Sequence, residues 1–123
     1  MSRRTRSKCT HLKFNMPTGE LVEVQTYSND GITPHFHVVV DGKTIGCLKL
    51  DSPEYYDHGY IRTTVIDKKI LIEINKQLSN YVPWSKTETE YMNMRYFWNI
   101  TNRKTHIPLN IEQPDYTKTE RRN

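Results

Sequence analysis

Asp41-Gly42 is the tightest local constraint in the chain. The pair follows Val38-Val39-Val40 and precedes Thr44-Ile45. β-Branched residues favour extended backbone, and Asp-Gly supplies the positive-φ positions of a two-residue hairpin turn. Residues 35–41 and 43–50 are therefore expected as antiparallel partners. In the latter, alternation places Ile45, Cys47 and Lys49 on one face and Gly46, Leu48 and Leu50 on the other. Upstream, Pro17-Thr18-Gly19-Glu20 is turn chemistry between strands at 11–16 and 21–27. Within 21–27, Val22, Val24 and Thr26 share one side, and Leu21, Glu23, Gln25 and Tyr27 the other. Ser28-Asn29-Asp30-Gly31 breaks that strand.

The periodicity changes after residue 64. Ile66, Ile70, Ile74 and Leu78 recur every four residues with Leu71 beside them, which predicts a helix over 65–80. Pro83 ends it. Ser85-Lys86-Thr87-Glu88 fits a capping box opening a second helix. Tyr91, Met94, Arg95 and Trp98 form one stripe there, a core pattern rather than a ligand site. Strands followed by helices predict an α+β fold: a small antiparallel sheet of about four strands with two helices packed on one face and the other face partly open. The 123 residues suit one domain. Only 35% are hydrophobic and the mean hydropathy is −0.80, so part of the chain is expected as tail. The division is a basic arm at 1–9, a domain at 10–102 and a polar tail at 103–123 that docks through Ile107, Leu109 and Ile111. The connection at 51–64 is rich in aromatics. Tyr55, Tyr56 and Tyr60 are read as lids over the core, with base stacking as the alternative.

Arg3, Arg4, Arg6 and Lys8 account for the net charge of +4, since the other basic residues equal the acidic ones in number. The basicity therefore belongs to the arm. It suits contact with nucleic-acid phosphates or an acidic partner, or it is a solvated tag. The first residues lack an apolar stretch and no run reaches transmembrane length. A cytoplasmic protein with reduced Cys9 and Cys47 is expected.

His35 and His37 stand two apart on a strand, so their side chains share a face, with Phe36 and Val38 opposite. Three roles fit the pair. Two imidazoles can hold a metal ion, but a catalytic zinc wants about three protein ligands. His58 in Asp57-His58-Gly59 is the attractive third, with Asp57, Asp41, Cys47 and His11 as further candidates. Alternatively His35 and His37 split acid and base roles in a metal-independent ribonuclease, assisted by His58, with Arg62 or Lys49 holding phosphate. Otherwise they line the sheet and hydrogen-bond to loop backbone or tyrosine hydroxyls. No cofactor is required, with a divalent metal as the alternative.

Pro34, His35, His37 and Val38 resemble the motif strand of a short bacterial family of unknown function built on Pro-His-x-His-Val. Tyr55-Tyr56-Asp57-His58-Gly59, the helix after it and Trp98-Asn99 are similar to the version found in Bacteroidetes and their mobile elements. The likeness spans roughly residues 20–102. It implies an α+β fold and a place in toxin–antitoxin-like pairs or on phages, and it brings no catalytic residue. The expected function is a non-enzymatic interaction protein of a mobile element or phage. It binds a protein partner through the open sheet face and the histidine region, with nucleic acid touched by the arm. A small histidine-dependent ribonuclease-like toxin is the alternative.

Overall fold

The computed structural model describes residues 7–57 and 65–120. Among them are β1 (Lys8–Asn15), β2 (Leu21–Tyr27), β3 (His35–Val40), β4 (Lys43–Lys49), α1 (Lys68–Leu78) and α2 (Glu90–Thr101), followed by a single 3-10 turn at Tyr116–Lys118. The strands form one antiparallel meander in the order β1-β2-β3-β4. The Asp41-Gly42 turn takes φ values of 50° and 81°. Both are the left-handed angles that this dipeptide tolerates best.

Val22, Val24, Phe36, Val38 and Leu48 present the buried face of the sheet to Ile70, Leu71, Ile74 and Leu78 of α1 and to Tyr91, Met94 and Trp98 of α2. Each such side chain contributes roughly 1.5–3 kcal/mol by leaving water. Asp67 caps α1, its carboxylate accepting from the Lys69 amide at 2.9 Å.

Two irregularities alter what simple alternation predicts. The β3–β4 register shifts between Val38 and Val39, leaving Ile45 as the extra residue between Gly46 and Thr44. Ile45 consequently packs against the core instead of lying beside Cys47. A second shift between Thr10 and Leu12 re-aims His11, whose Nε2 lies 2.7 Å from Thr26 Oγ1.

α2 begins later than the capping box implies. Ser85 Oγ does accept from the Thr87 and Glu88 amides. Residues 80–90 then close on themselves, through Val82 N to Glu88 O and Glu90 N to Asn80 O. Thr89 becomes the cap, accepting from the Met92 amide.

The segment expected as a tail lies against the domain through residue 120. Ile107 is buried, Ile111 partly so, and Leu109 is exposed. Arg95 donates to the Ile111 carbonyl. Tyr116 is fully buried, its ring edge-on to Phe36 and its hydroxyl donating to Lys49 O at 2.7 Å. A single tyrosine between polar residues carries no periodic signal, which is why the sequence hides this docking point.

Candidate functional site

The β2–β3 connection turns sharply, with Asn29 at φ 51° and Gly31 at φ 89°. The turn aims Asp30 back at the start of β3. The Asp30 amide donates to Asn102 Oδ1 at 2.7 Å. Asn102 closes α2 and also donates to the carbonyls of Tyr27 and Trp98. The end of the helix thus fixes the position of the carboxylate.

His37 lies in register with Gln25 on β2 and Cys47 on β4. Its Nε2 is 3.0 Å from Asp30 Oδ2 and its Nδ1 is 3.5 Å from Cys47 Sγ. His35 places Nδ1 2.7 Å from the Thr33 carbonyl and Nε2 2.9 Å from the same Asp30 oxygen. That second approach is at ion-pair distance. The two imidazoles are 5.2 Å apart between centroids. Tyr27 stands edge-on to His37 at 4.8 Å, while Tyr56 and Trp98 flank His35 at 4.6 and 5.4 Å.

All four polar residues are buried: His35 and Cys47 at 0% exposure, Asp30 at 1% and His37 at 6%. This corrects the expectation that the histidines line an open sheet face. The centre of that face is closed, with Gln25, His37, Val39 and Cys47 all buried, whereas Lys8, Thr10 and Lys13 toward β1 are exposed. Tyr60, read as a lid with Tyr55 and Tyr56, lies outside the described residues, and Tyr56 packs its ring against His35. Its amide donates to Cys47 O while Tyr55 bridges to Leu48, folding residues 54–56 along the edge of β4.

Among the described candidates, His35, His37 and Cys47 come together, with their ligand atoms within 4.8 Å of one another. Asp41 is spent on its turn, accepting from the Leu21 amide. Lys49 lies 3.9 Å from Glu54. Lys8 is exposed on β1. His58, Arg62, Arg3, Arg4 and Arg6 lie outside the described residues. Asp30 was missed because it reads as a breaker. Its position two residues beyond Ser28, before a pair of histidines, gives no periodic hint.

Chemically the cluster resembles a relay of thiol, imidazole and carboxylate. Burial first, then the charges of Asp30 and Asp57, pushes the Cys47 thiol up to about 12. A nucleophilic cysteine needs the opposite shift and some exposure. Cys9 and Cys47 are not disulfide-bonded.

A half-buried imidazole, His11 on β1, sets a pH dependence. Desolvation lowers the pKa of His11 to about 4, against about 6.5 in an unfolded chain. Between these values the unfolded chain binds a proton that the folded one refuses. The stability is therefore fully present above about pH 6.5 and is lost as the pH falls toward 4, on the order of 2 kcal/mol. His11→Gln will flatten the wild-type slope in that window in urea titrations at stepped pH. Parallel slopes would show that His11 does not carry the effect.

No family model, curated protein or solved structure matches this chain. Among the described residues, no helix is long and apolar enough to cross a membrane.

Proposed function

We propose that this chain is a small non-enzymatic interaction protein, of the kind carried by bacterial mobile elements or phages, and that it docks a protein partner on the outer face of α2. The observation that carries this is a stripe of Met92, Tyr96 and Ile100 at four-residue spacing, with Tyr96 54% and Ile100 58% exposed. Amphipathic helices normally turn such a stripe inward. Here the inward side is already occupied by Tyr91, Met94, Arg95 and Trp98.

Leu109 and Arg95 join Met92 and Tyr96 in lining an open groove beside the stripe. Acidic Glu88 and Glu90 stand at the start of α2, and basic Arg103 and Lys104 follow its end. A helix with the usual acidic start and basic end complements this surface when it runs antiparallel. Three side chains on a twelve-residue helix fall well short of the roughly 1,200–2,000 Å² of a stable interface. The partner must therefore extend over Leu109, which is also exposed. Toxin–antitoxin-like pairing and an added nucleic-acid contact through Arg3, Arg4, Arg6 and Lys8 belong to the same reading.

The ribonuclease alternative is not adopted, because His35 and His37 are buried and a phosphodiester must reach both. A photocrosslinker at position 96 is expected to give one discrete protein adduct in cells. The identified partner should re-form the complex when purified. Met92→Glu/Ile100→Glu should weaken that complex at least about tenfold and leave Tm within a few degrees. No adduct, or equal labelling from position 13 on β1, would remove the proposal. An adduct of two copies of this chain would make the stripe a dimer interface and remove the separate partner.

A further inference from the structure

We infer that the groove at Arg95 is a subsite for a carboxylate carried on an apolar body, and that the protein partner docked on α2 fills it with an aspartate or glutamate side chain. The source of the carboxylate rests on the docking proposal; the subsite itself rests on Arg95.

An uncompensated buried charge is the first support. Arg95 belongs to the inward stripe of α2, with Tyr91, Met94 and Trp98. It is 4% exposed, and a guanidinium does not lose its proton in a protein. A buried charge needs an opposite charge and a full set of hydrogen bonds. Among the described residues no carboxylate comes within ion-pair distance of Arg95. Nη1 donates to the Ile111 carbonyl, whereas Nε is buried without an acceptor. The Tyr91 ring, 5.7 Å from Cζ, offsets part of the cost and brings no negative charge.

Access is the second support. Two open grooves adjoin at this residue. One, of about 460 Å³, is lined in part by Glu88 and Tyr96. The other, of about 390 Å³, is lined in part by Tyr91, Ile111 and Glu112. Met92, Arg95 and Leu109 line both. Both volumes fall in the roughly 300–1,000 Å³ of ligand clefts.

The lining also selects the ligand. With Nη1 on a carbonyl, the edge left to the guanidinium is Nε with Nη2, which matches the two oxygens of one carboxylate. Nε is covered in the free protein, so Met92 or Leu109, both exposed, turns aside as the carboxylate enters. Glu88 and Glu112 repel a bare anion, so the ligand must bring apolar contacts to Met92, Tyr96 and Leu109. Arg95 stands midway along α2. In an antiparallel partner helix, whose basic end faces Glu88 and Glu90, the matching acid therefore lies near the middle, flanked by apolar side chains.

Octanoate is the probe and octanamide its uncharged twin. Each is titrated into the full chain at constant ionic strength while the Arg95 Nε–H signal is followed by NMR, assigned by its loss in Arg95→Lys. Octanoate should move that signal saturably and bind at least about tenfold more tightly than octanamide, the share of one hydrogen bond to a charged group. Arg95→Lys keeps the charge without the fork and should weaken octanoate binding. If that variant does not fold, selective labelling of arginine assigns the signal and the wild type still decides. Equal binding of the two probes, or octanoate binding that leaves the Arg95 signal unmoved, would overturn the subsite. The source is tested on the complex re-formed with the partner crosslinked from position 96. Octanoate should displace that partner and octanamide should not. A complex untouched by octanoate would overturn the partner's carboxylate and leave docking in place. Octanoate bound at Arg95 with no adduct from position 96 would support the subsite and remove the docked partner as its source.

Discussion

Asp30→Asn will destabilise the fold by about 1–3 kcal/mol, the usual cost of leaving buried hydrogen-bonding groups without their partner. The side chain keeps its shape, and its backbone amide keeps the contact to Asn102 Oδ1. The loss is the negative charge that faces His35 Nε2 at 2.9 Å and His37 Nε2 at 3.0 Å. In its place an amide group meets two ring nitrogens that cannot both find a suitable donor or acceptor there. Glu112→Gln is the comparison, since Glu112 is exposed. It should change stability by less than about 0.5 kcal/mol. Urea unfolding of the three proteins measures both numbers. The Cys47 thiol should also titrate lower in Asp30→Asn, because the Asp30 charge is one of the causes that raise it. A loss under about 1 kcal/mol would mean that the carboxylate does not hold the cluster together.

Much of this fold is legible in the chain because its signals are local. Asp-Gly and Pro-Thr-Gly dictate hairpins whatever surrounds them, and β2 runs over Leu21–Tyr27 as its alternation predicts. The stripe of Ile70, Ile74 and Leu78 needs only a sheet to face. The misreadings come from long-range effects. A bulge moved Ile45 to the core face, and no alternation rule foresees where a strand gains a residue. The start of α2 was displaced by pairing between residues 80–82 and 88–90, contacts that a capping motif does not encode. At the site, His35 and His37 were legible as a pair because strand geometry puts them on one face. Their burial was not, because it depends on Tyr56 returning along β4 and on Trp98 and Asn102 arriving from a helix more than sixty residues away in sequence. Asp30 belongs to the site only through that helix end.

Trp98→Ala will cost about 3–5 kcal/mol, a large share of the roughly 5–15 kcal/mol that holds a domain of this size together. Trp98 is the largest of the fully buried side chains, so alanine leaves a cavity that neighbouring strands and helices fill poorly. Its Nε1–H donates to Thr105 O at 3.1 Å, and the loss strands a carbonyl at the first step of the C-terminal segment. Asn99, next along the helix, exchanges two hydrogen bonds with Ile107. Helix and segment are therefore joined at adjacent residues, and one half of the joint disappears. On the other side the ring supports His35 at 5.4 Å between centroids. Trp98→Phe keeps much of the volume and loses the indole donor, so it should cost about 1–2 kcal/mol. The fall in Tm should be roughly 10–20 °C for alanine. The remaining Trp84 is 69% exposed, so the variant should also lose the blue-shifted part of the native emission. The ratio of the two losses separates packing from hydrogen bonding. Equal losses in Trp98→Phe and Trp98→Ala would put the energy in the bond to Thr105, whereas a small loss in both would mean that α2 closes over the gap and that the site can relax without its aromatic wall.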